Sequence, residues 1–548
     1  MKSSAEFLYR SCGKYWTAIQ FSILAGIFFY YFSENFILSE SWEILTLRSI
    51  DDYAMQDSVH SMQKALLTGN WNRIFGCFDY AYGNAFWLLN SILLLPLYFI
   101  NDAQTMIVVG RQISLFFVFG SIYIISLIID RIRPDAASLK FPILIAIATM
   151  PMVSVISTKL HVNAQSIFFG ILSFYVLVRE YDISKRSLIF SAVFAGVAVG
   201  FKITGIFIVP LLCITLLDKL RKKGFKKAVI DTGIYLAITL VIAAACTAPG
   251  LLLFPFYINE LGATYKTFLL FKNMESVEVQ VSANVLVDAL RFYFSPLSCM
   301  AIFVSFVFLI FDDTKNRRYI SVFILGSIAS TLLLVVLIAH KGPVYIATYF
   351  ISVAFFMPLG LLGICTLKFV PNRLMNVLAY CIVIAGFVYG AEQRAQILAP
   401  YNFFAMVENE KVKRQMLALT EIKQLIFPLE LPVRILQDNS SIFPATGFTD
   451  GVELVVNYGD LKEISTRGDF DYILLNSDTY YGKIPKPQDS SNIQLNAQQL
   501  AKTLEESTRI TLRNTGVFYG RKYRLIYTGY DALLYKLEKS KNIVEVIN

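Results

Sequence analysis

The chain reads as a polytopic α-helical membrane protein with a C-terminal soluble α/β domain, and three observations lead there. Hydrophobic residues fill 56% of its 548 positions and charged ones only 16%, with a mean hydropathy of +0.56, a balance foreign to soluble globular chains. Apolar stretches able to cross a bilayer recur through residues 1–390. From residue 391 onward the composition turns charged and polar, over a length that suits one small domain.

The first apolar run, 15–32, follows Lys2, Arg10 and Lys14 and has no small-residue cleavage site after it, so it reads as a retained signal anchor. Further runs lie at 107–129, 141–156, 166–178, 187–201, 204–217 and 228–248, then at 291–311, 320–339, 346–367 and 374–389. Together they make about eleven spans, some at the short limit of what a bilayer accepts. Lys and Arg gather in alternate loops, at Arg131, Arg133 and Lys140, at Lys185 and Arg186, and most densely between Lys219 and Lys227. Basic residues stay on the cytoplasmic side, which puts the N-terminus inside and, with an odd number of spans, the C-terminus outside. The net charge of +9 is accounted for by this topology and does not call for nucleic acid as a partner.

The first outer loop, 33–104, is the most informative segment. Asp51 and Asp52 stand side by side in it between Trp42 and Trp71, with little opposing charge nearby. A carboxylate pair at a membrane surface can take a proton from a hydroxyl beside a lipid-borne substrate, while the same pair also fits a solvated turn or a helix N-cap before Tyr53. Met55, Val59, Met62 and Leu66 then recur at helical spacing, which predicts a helix lying flat on the membrane until Gly69-Asn70-Trp71 ends it. All four tryptophans fall within the first 87 residues, and three of them, Trp42, Trp71 and Trp87, suit an interfacial platform. The run 88–100 contains Pro96 and is short for a span.

The tail, 391–548, predicts an amphipathic helix over 407–426, strands at 433–436, 452–456, 472–475, 525–527 and 532–537, and a helical segment near 497–508. It has no GxGxxG and no Walker loop, so nucleotide binding is unsupported. The seven cysteines show no CxxC pairing and none lies in the tail, so neither a disulfide framework nor a zinc knuckle follows.

An acid pair in the first outer loop, a helix closed by Gly-x-Trp and a Tyr80-Ala81-Tyr82-Gly83 approach to the next apolar run together resemble the GT-C superfamily of glycosyltransferases. That superfamily includes the protein O-mannosyltransferases and the lipid A aminoarabinose transferases. Residues 195–206, a small-residue hairpin with Lys202, and residues 340–358, with Tyr345 and Tyr349, resemble two further elements of the superfamily. One departure stands out. Many members keep a second acidic residue at the start of the fourth span, where this chain has His161 and Asn163. Asn can bind a sugar hydroxyl and cannot serve as a base, which leaves base catalysis to Asp51 and Asp52. The lysine that the aminoarabinose transferases keep near the position of Tyr82 is also missing.

The resemblance implies a GT-C-like fold and inverting transfer of a sugar from a polyprenyl-phosphate donor to a hydroxyl of a glycan, lipid or protein acceptor. Asp51 would be the general base, and Arg73, Tyr82, His161, Asn163, Lys202, His340, Lys341 and Tyr345 would bind substrate. No cofactor is implied. The three histidines, His60, His161 and His340, and the nearby aspartates could gather a divalent metal, but no HxxxH or DxD spacing supports one. The expected location is a bacterial plasma (inner) membrane, with the tail extracytoplasmic. Two other classes compete, a secondary transporter and a non-catalytic subunit of a cell-envelope glycan assembly system. For the first, neither inverted repeats nor mid-span charges are evident, since Asp231 lies near a span end and most spans are clean of charge, and the large first loop favours the enzyme over both.

Overall fold

The structure is a computed structural model that describes residues 2–37, 50–75, 83–100, 103–132, 137–160, 162–180, 182–221 and 224–247, position 249 and scattered helical positions between 377 and 426. Beyond these it describes 433–438, 452–457, 470–476, 515, 517–518, 521–529 and 532–538. The spans expected from 291 to 389, the helix expected at 497–508 and residues 407–420 of the helix expected at 407–426 lie outside this set, three isolated helical positions apart. By its internal contacts the chain divides into two units, Met1–Glu40 with Ala54–Ala399, and Ser41–Tyr53 with Pro400–Asn548.

The first unit is helical. In chain order it contains α1 (Lys2–Ile37), α2 (Ile50–Thr68, whose first residues fall to the other unit), α3 (Trp71–Phe75), α4 (Asn84–Leu93), α5 (Leu95–Tyr98) and α6 (Ala103–Ile132). There follow α7 (Ala137–Ala148), α8 (Pro151–Ser157), α9 (Val162–Arg179), α10 (Lys185–Phe201), a 3-10 segment (Ile203–Ile208), α11 (Val209–Leu220) and α12 (Phe225–Thr247). Among the described residues three stretches are long and apolar enough to cross a membrane, Thr105–Arg131, Val162–Arg179 and Phe225–Thr247. The chain is a membrane protein.

Proline redraws two of the expected spans. The run 141–156 is two helices because Pro151 lacks the N–H a continuous helix needs, and it instead starts α8 after Met150 turns extended. The run 204–217 begins as the 3-10 segment and becomes α-helical only at Val209-Pro210. Pro96 likewise sits in the first turn of α5, after α4 has ended at Leu94.

Helix α10 is the hub. Ala192, Gly196 and Gly200 recur every fourth residue along the face it turns to α12. A Cβ on Gly196 would lie 2.6 Å from Ile242 Cβ and 2.7 Å from the Thr239 carbonyl, and one on Gly200 would lie 2.2 Å from Cys246 Cβ. This is the small-xxx-small seam by which helices in lipid gain dispersion contact without a hydrophobic driving force. Beside it, Ser173 of α9, Ser191 of α10 and Tyr235 of α12 meet in the interior. The two serine hydroxyls lie 2.9 Å apart and each stands 3.3 Å from the tyrosine hydroxyl. Each serine hydroxyl also reaches the other's carbonyl, at 2.8 and 3.0 Å.

The loop helices dock on the same hub. Gly83 N–H donates to the Phe201 carbonyl at 3.0 Å, and a Cβ on Gly83 would lie 1.7 Å from the Gly200 carbonyl oxygen. Its φ of −67° suits any residue, so the glycine is required by space alone. Val59, Met62 and Ala65 of α2 are buried against Phe86, Trp87, Leu94, Leu160 and Phe201. The apolar face expected to rest on lipid is therefore covered by protein, and Trp87 belongs to that core instead of an interfacial platform. Trp71 does stay exposed, stacked on Phe75. Helix α2 ends where expected, with Gly69 at φ +65° and Asn70 N–H donating to the Ala65 carbonyl at 2.9 Å, a Schellman closure.

At the opposite end of the bundle some charges find local partners. Lys219 Nζ donates to the carbonyls of Leu177 and Glu180 at the C-terminus of α9, while burial and the charge of Arg131 draw its ammonium down to about 8. The Ser187 hydroxyl and the Ser184 N–H hold the Glu180 carboxyl at about 2.

Among the described residues of the second unit six strands form one sheet: β1 (Val433–Asp438), β2 (Val452–Asn457), β3 (Tyr472–Asn476), β4 (Val517–Phe518), β5 (Arg521–Gly529) and β6 (Ala532–Leu537). Their order is β2-β1-β3-β6-β5-β4, the first three parallel and the rest antiparallel. Each of the five strand-like runs read from the sequence falls within a strand. Both faces are covered. Leu436, Ile473 and Tyr535 point into one cluster, and their neighbours Ile435, Leu474 and Leu534 into another with Ile422 and Ile426.

Two outcomes follow. Gly83→Ala forces the loop off α10 and should cost about 1–3 kcal/mol or more, read as a lowered thermal midpoint of the purified protein in detergent. Tyr235→Phe should cost about 1 kcal/mol, with Ser173→Ala and Ser191→Ala combining non-additively with it in a double-mutant cycle of unfolding free energies.

Candidate functional site

Buried polar side chains collect where α1 and α10 end and α9 begins. At the end of α1, Asn35 Nδ2 donates to Gln112 Oε1 of α6 at 3.3 Å and to the Ser157 carbonyl of α8 at 3.1 Å, and Gln112 Nε2 donates to the Phe32 carbonyl at 2.9 Å. On α9, Gln165 Nε2 donates to Asn90 Oδ1 of α4 at 2.9 Å. From there Ser91 Oγ donates to the Val59 carbonyl of α2 at 3.2 Å and Gln63 Nε2 to the Ser91 carbonyl at 3.3 Å. Asn84 Nδ2 donates to the Ile74 carbonyl at 2.8 Å. Such bonds are strongly preferred where water is scarce, because an unmade one has no solvent to replace it.

Lys202 stands in this layer. It is only 1% exposed, and its Nζ donates to Asn163 Oδ1 at 2.9 Å. The local sequence explains its place. Helix α10 stops at Phe201, Lys202 turns extended at φ −147° and ψ 131°, and Gly205 N–H returns to the Lys202 carbonyl at 2.8 Å. Gly205 admits this fold because a Cβ there would lie 2.5 Å from the Ala198 carbonyl oxygen, an oxygen that Ser166 Oγ also bonds at 2.8 Å. A lysine that only snorkelled from a span end would hold its ammonium in water, and this one is buried.

Of the residues singled out from sequence, the structure brings Lys202 and Asn163 together. Asp51 and Asp52 occupy the first turn of α2, where the helix dipole favours negative charge, and their side chains lie outside the described set. The Arg73 backbone is in α3 and its side chain is likewise outside. Tyr82, His161, His340, Lys341 and Tyr345 are also outside it. His60 stacks on Tyr98 with ring centres 4.8 Å apart. Among the described residues no group of three His, Cys, Asp or Glu side chains converges as metal ligands would.

Arg111 was not anticipated. It lies about two turns inside α6, is fully buried, and follows Gly110, where a Cβ would lie 3.0 Å from Leu160. A lone cation inside the apolar run 107–129 was the available signal, since charges at membrane depth are costly and kept for a purpose. Among the described residues the layer therefore holds two buried cations, Arg111 and Lys202, and the nearly buried Glu34 beside Asn35.

No protein-family model and no curated protein sequence matches the chain. Among solved structures it is similar to ArnT from Cupriavidus metallidurans in the apo state, at 12% sequence identity and a TM-score of 0.51, over 88% of this chain and 92% of that one. The buried polar layer, the short spans around it and the C-terminal sheet thus belong to a chain with the fold of ArnT.

Proposed function

We propose that this protein is an integral membrane glycosyltransferase of the GT-C type, moving a sugar from a polyprenyl-phosphate donor to an acceptor hydroxyl at the extracytoplasmic face of the inner membrane. The observation that carries the reading is Lys202, a buried ammonium held by Asn163 in the polar layer of a membrane bundle whose fold is shared with ArnT. The sequence resemblance to GT-C enzymes rests on the acid pair and the Tyr82-Gly83 approach as well as this lysine, so it supports the reading independently of the fold.

The chemistry asks for two things. An acceptor hydroxyl must lose its proton as it attacks the anomeric carbon, and Asp51 takes that proton while Asp52 orients it. The bond from the anomeric carbon to the phosphate oxygen breaks on the opposite face, the configuration inverts, and the lipid phosphate leaves with the electron pair. Negative charge builds on that phosphate, so cations placed beforehand in a low-dielectric site stabilise the transition state more than they would in water. Lys202 fills this role, with Arg73, Lys341 and Tyr345 from the other loops, while Tyr82, His161, Asn163 and His340 position the donor or acceptor. The acceptor is a glycan, lipid or protein hydroxyl, and the C-terminal unit is extracytoplasmic.

Asp51→Asn should abolish transfer in reconstituted membranes while leaving the protein folded and donor-bound, with Asp52→Asn less damaging. Near-normal turnover in both variants would leave the pair as the start of a helix and nothing more. Lys202→Met removes a charge-assisted bond worth about 1.5–3 kcal/mol and should weaken donor binding about tenfold or more, measured by titrating purified protein with a polyprenyl phosphate. Unchanged affinity in a folded variant would move the phosphate site away from Lys202.

A further inference from the structure

Helix α12 joins a cationic start to an exposed aliphatic stripe. Lys226, Ile230, Ile234 and Val241 are all exposed and fall four, four and seven residues apart, which places them on one face. Lys227 and Arg221 are exposed beside that start, and Phe225, 77% exposed, stands between them. Gly224, at φ +103°, reverses the chain so that the end of α11 and the start of α12 meet there. Among the described residues, Asp218 pairs with Arg221 at 3.4 Å, Glu180 and Asp182 act with it on Lys219, and Asp231 lies one turn along. They leave the two lysines in excess.

We propose that this face binds an anionic phospholipid, its phosphodiester held by Lys226 and Lys227 with Arg221 and its acyl chains lying along Ile230, Ile234 and Val241. The dimensions agree. From Ile230 to Val241 the helix rises about 16 Å, which matches the roughly 15 Å hydrocarbon depth of one leaflet below a headgroup. Orientation in the membrane depends on the number of loop cations and not on their register with an apolar stripe. A cluster of cations immediately beside a span also attracts anionic headgroups, and Phe225 adds an aromatic ring at headgroup level. This site lies at the end of the bundle opposite the polar layer and does not rest on the proposed enzymatic activity.

The test is native mass spectrometry of the full chain, delipidated in detergent and titrated separately with phosphatidylglycerol and phosphatidylcholine. Wild-type protein should retain phosphatidylglycerol preferentially, and the double variant Lys226→Gln/Lys227→Gln should lower that preference by at least about tenfold. Lys226→Arg/Lys227→Arg should keep it, so a loss caused by misfolding or altered insertion is distinguished from loss of charge. Equal retention of the two lipids by the wild type, or an unchanged preference in the glutamine variant, would overturn the proposal. Displacement of the bound lipid by inorganic phosphate would also overturn it, because the site would then be one for free anions.

Discussion

Everything in the helical unit hangs on how closely α10 approaches α12. In lipid, apolar side chains gain nothing from leaving their surroundings, so helices associate where backbones can come near enough for dispersion and polar contacts to add up. Ala192, Gly196 and Gly200 provide that approach against Thr239, Ala243 and Cys246. The Ser173, Ser191 and Tyr235 hydroxyls then tie α9 to the same pair. Because the seam runs to the last turn of α10, it fixes the point from which Lys202 departs and the carbonyls on which Gly83 rests.

The polar layer is the second consequence of that placement. Phe201 stacks on Phe169 of α9 with ring centres 5.4 Å apart, so the end of α10 and the first turns of α9 are held in register. Asn163 then meets Lys202, and Gln165, two residues on, meets Asn90 of the first loop. Loop and bundle share one network as a result, and the helix that opens with Asp51 and Asp52 is anchored to it through Val59 and Gln63. The two ends of the bundle differ in kind. One keeps cations buried among amides and hydroxyls, whereas the other shows them to solvent or pairs them with carboxylates and helix carbonyls.

Much of this was legible in the sequence, and the misses share a cause. Apolar length located the helices α1, α6, α9, α10 and α12, of which α6, α9 and α12 are long and apolar enough to cross, because burial in lipid imposes composition directly, and Gly69-Asn70 announced its helix end through backbone geometry. Strand alternation located the sheet in the same way. Composition could not show that Trp87 is interior, or that serines and a tyrosine far apart in the chain meet at one point. These depend on which helix lies beside which, and a hydropathy run carries no such information. Lys202 and Asn163 were read as candidates separately, and only packing makes them a pair. Arg111 was hidden by the apolar average of its own span.

The 3-10 segment after Lys202 bears on hydrophobic matching. Residues 203–220 form one continuous helical stretch whose first six are overwound. An α-helix of that length would reach about 27 Å, short of a roughly 30 Å hydrocarbon core. The overwound turns rise about 2.0 Å per residue in place of 1.5 Å, which brings the stretch to about 30 Å. The tight turns after Lys202 therefore add about 3 Å to the reach of the stretch without an added residue. A substitution that restored regular α-helix there would shorten the stretch to about 27 Å.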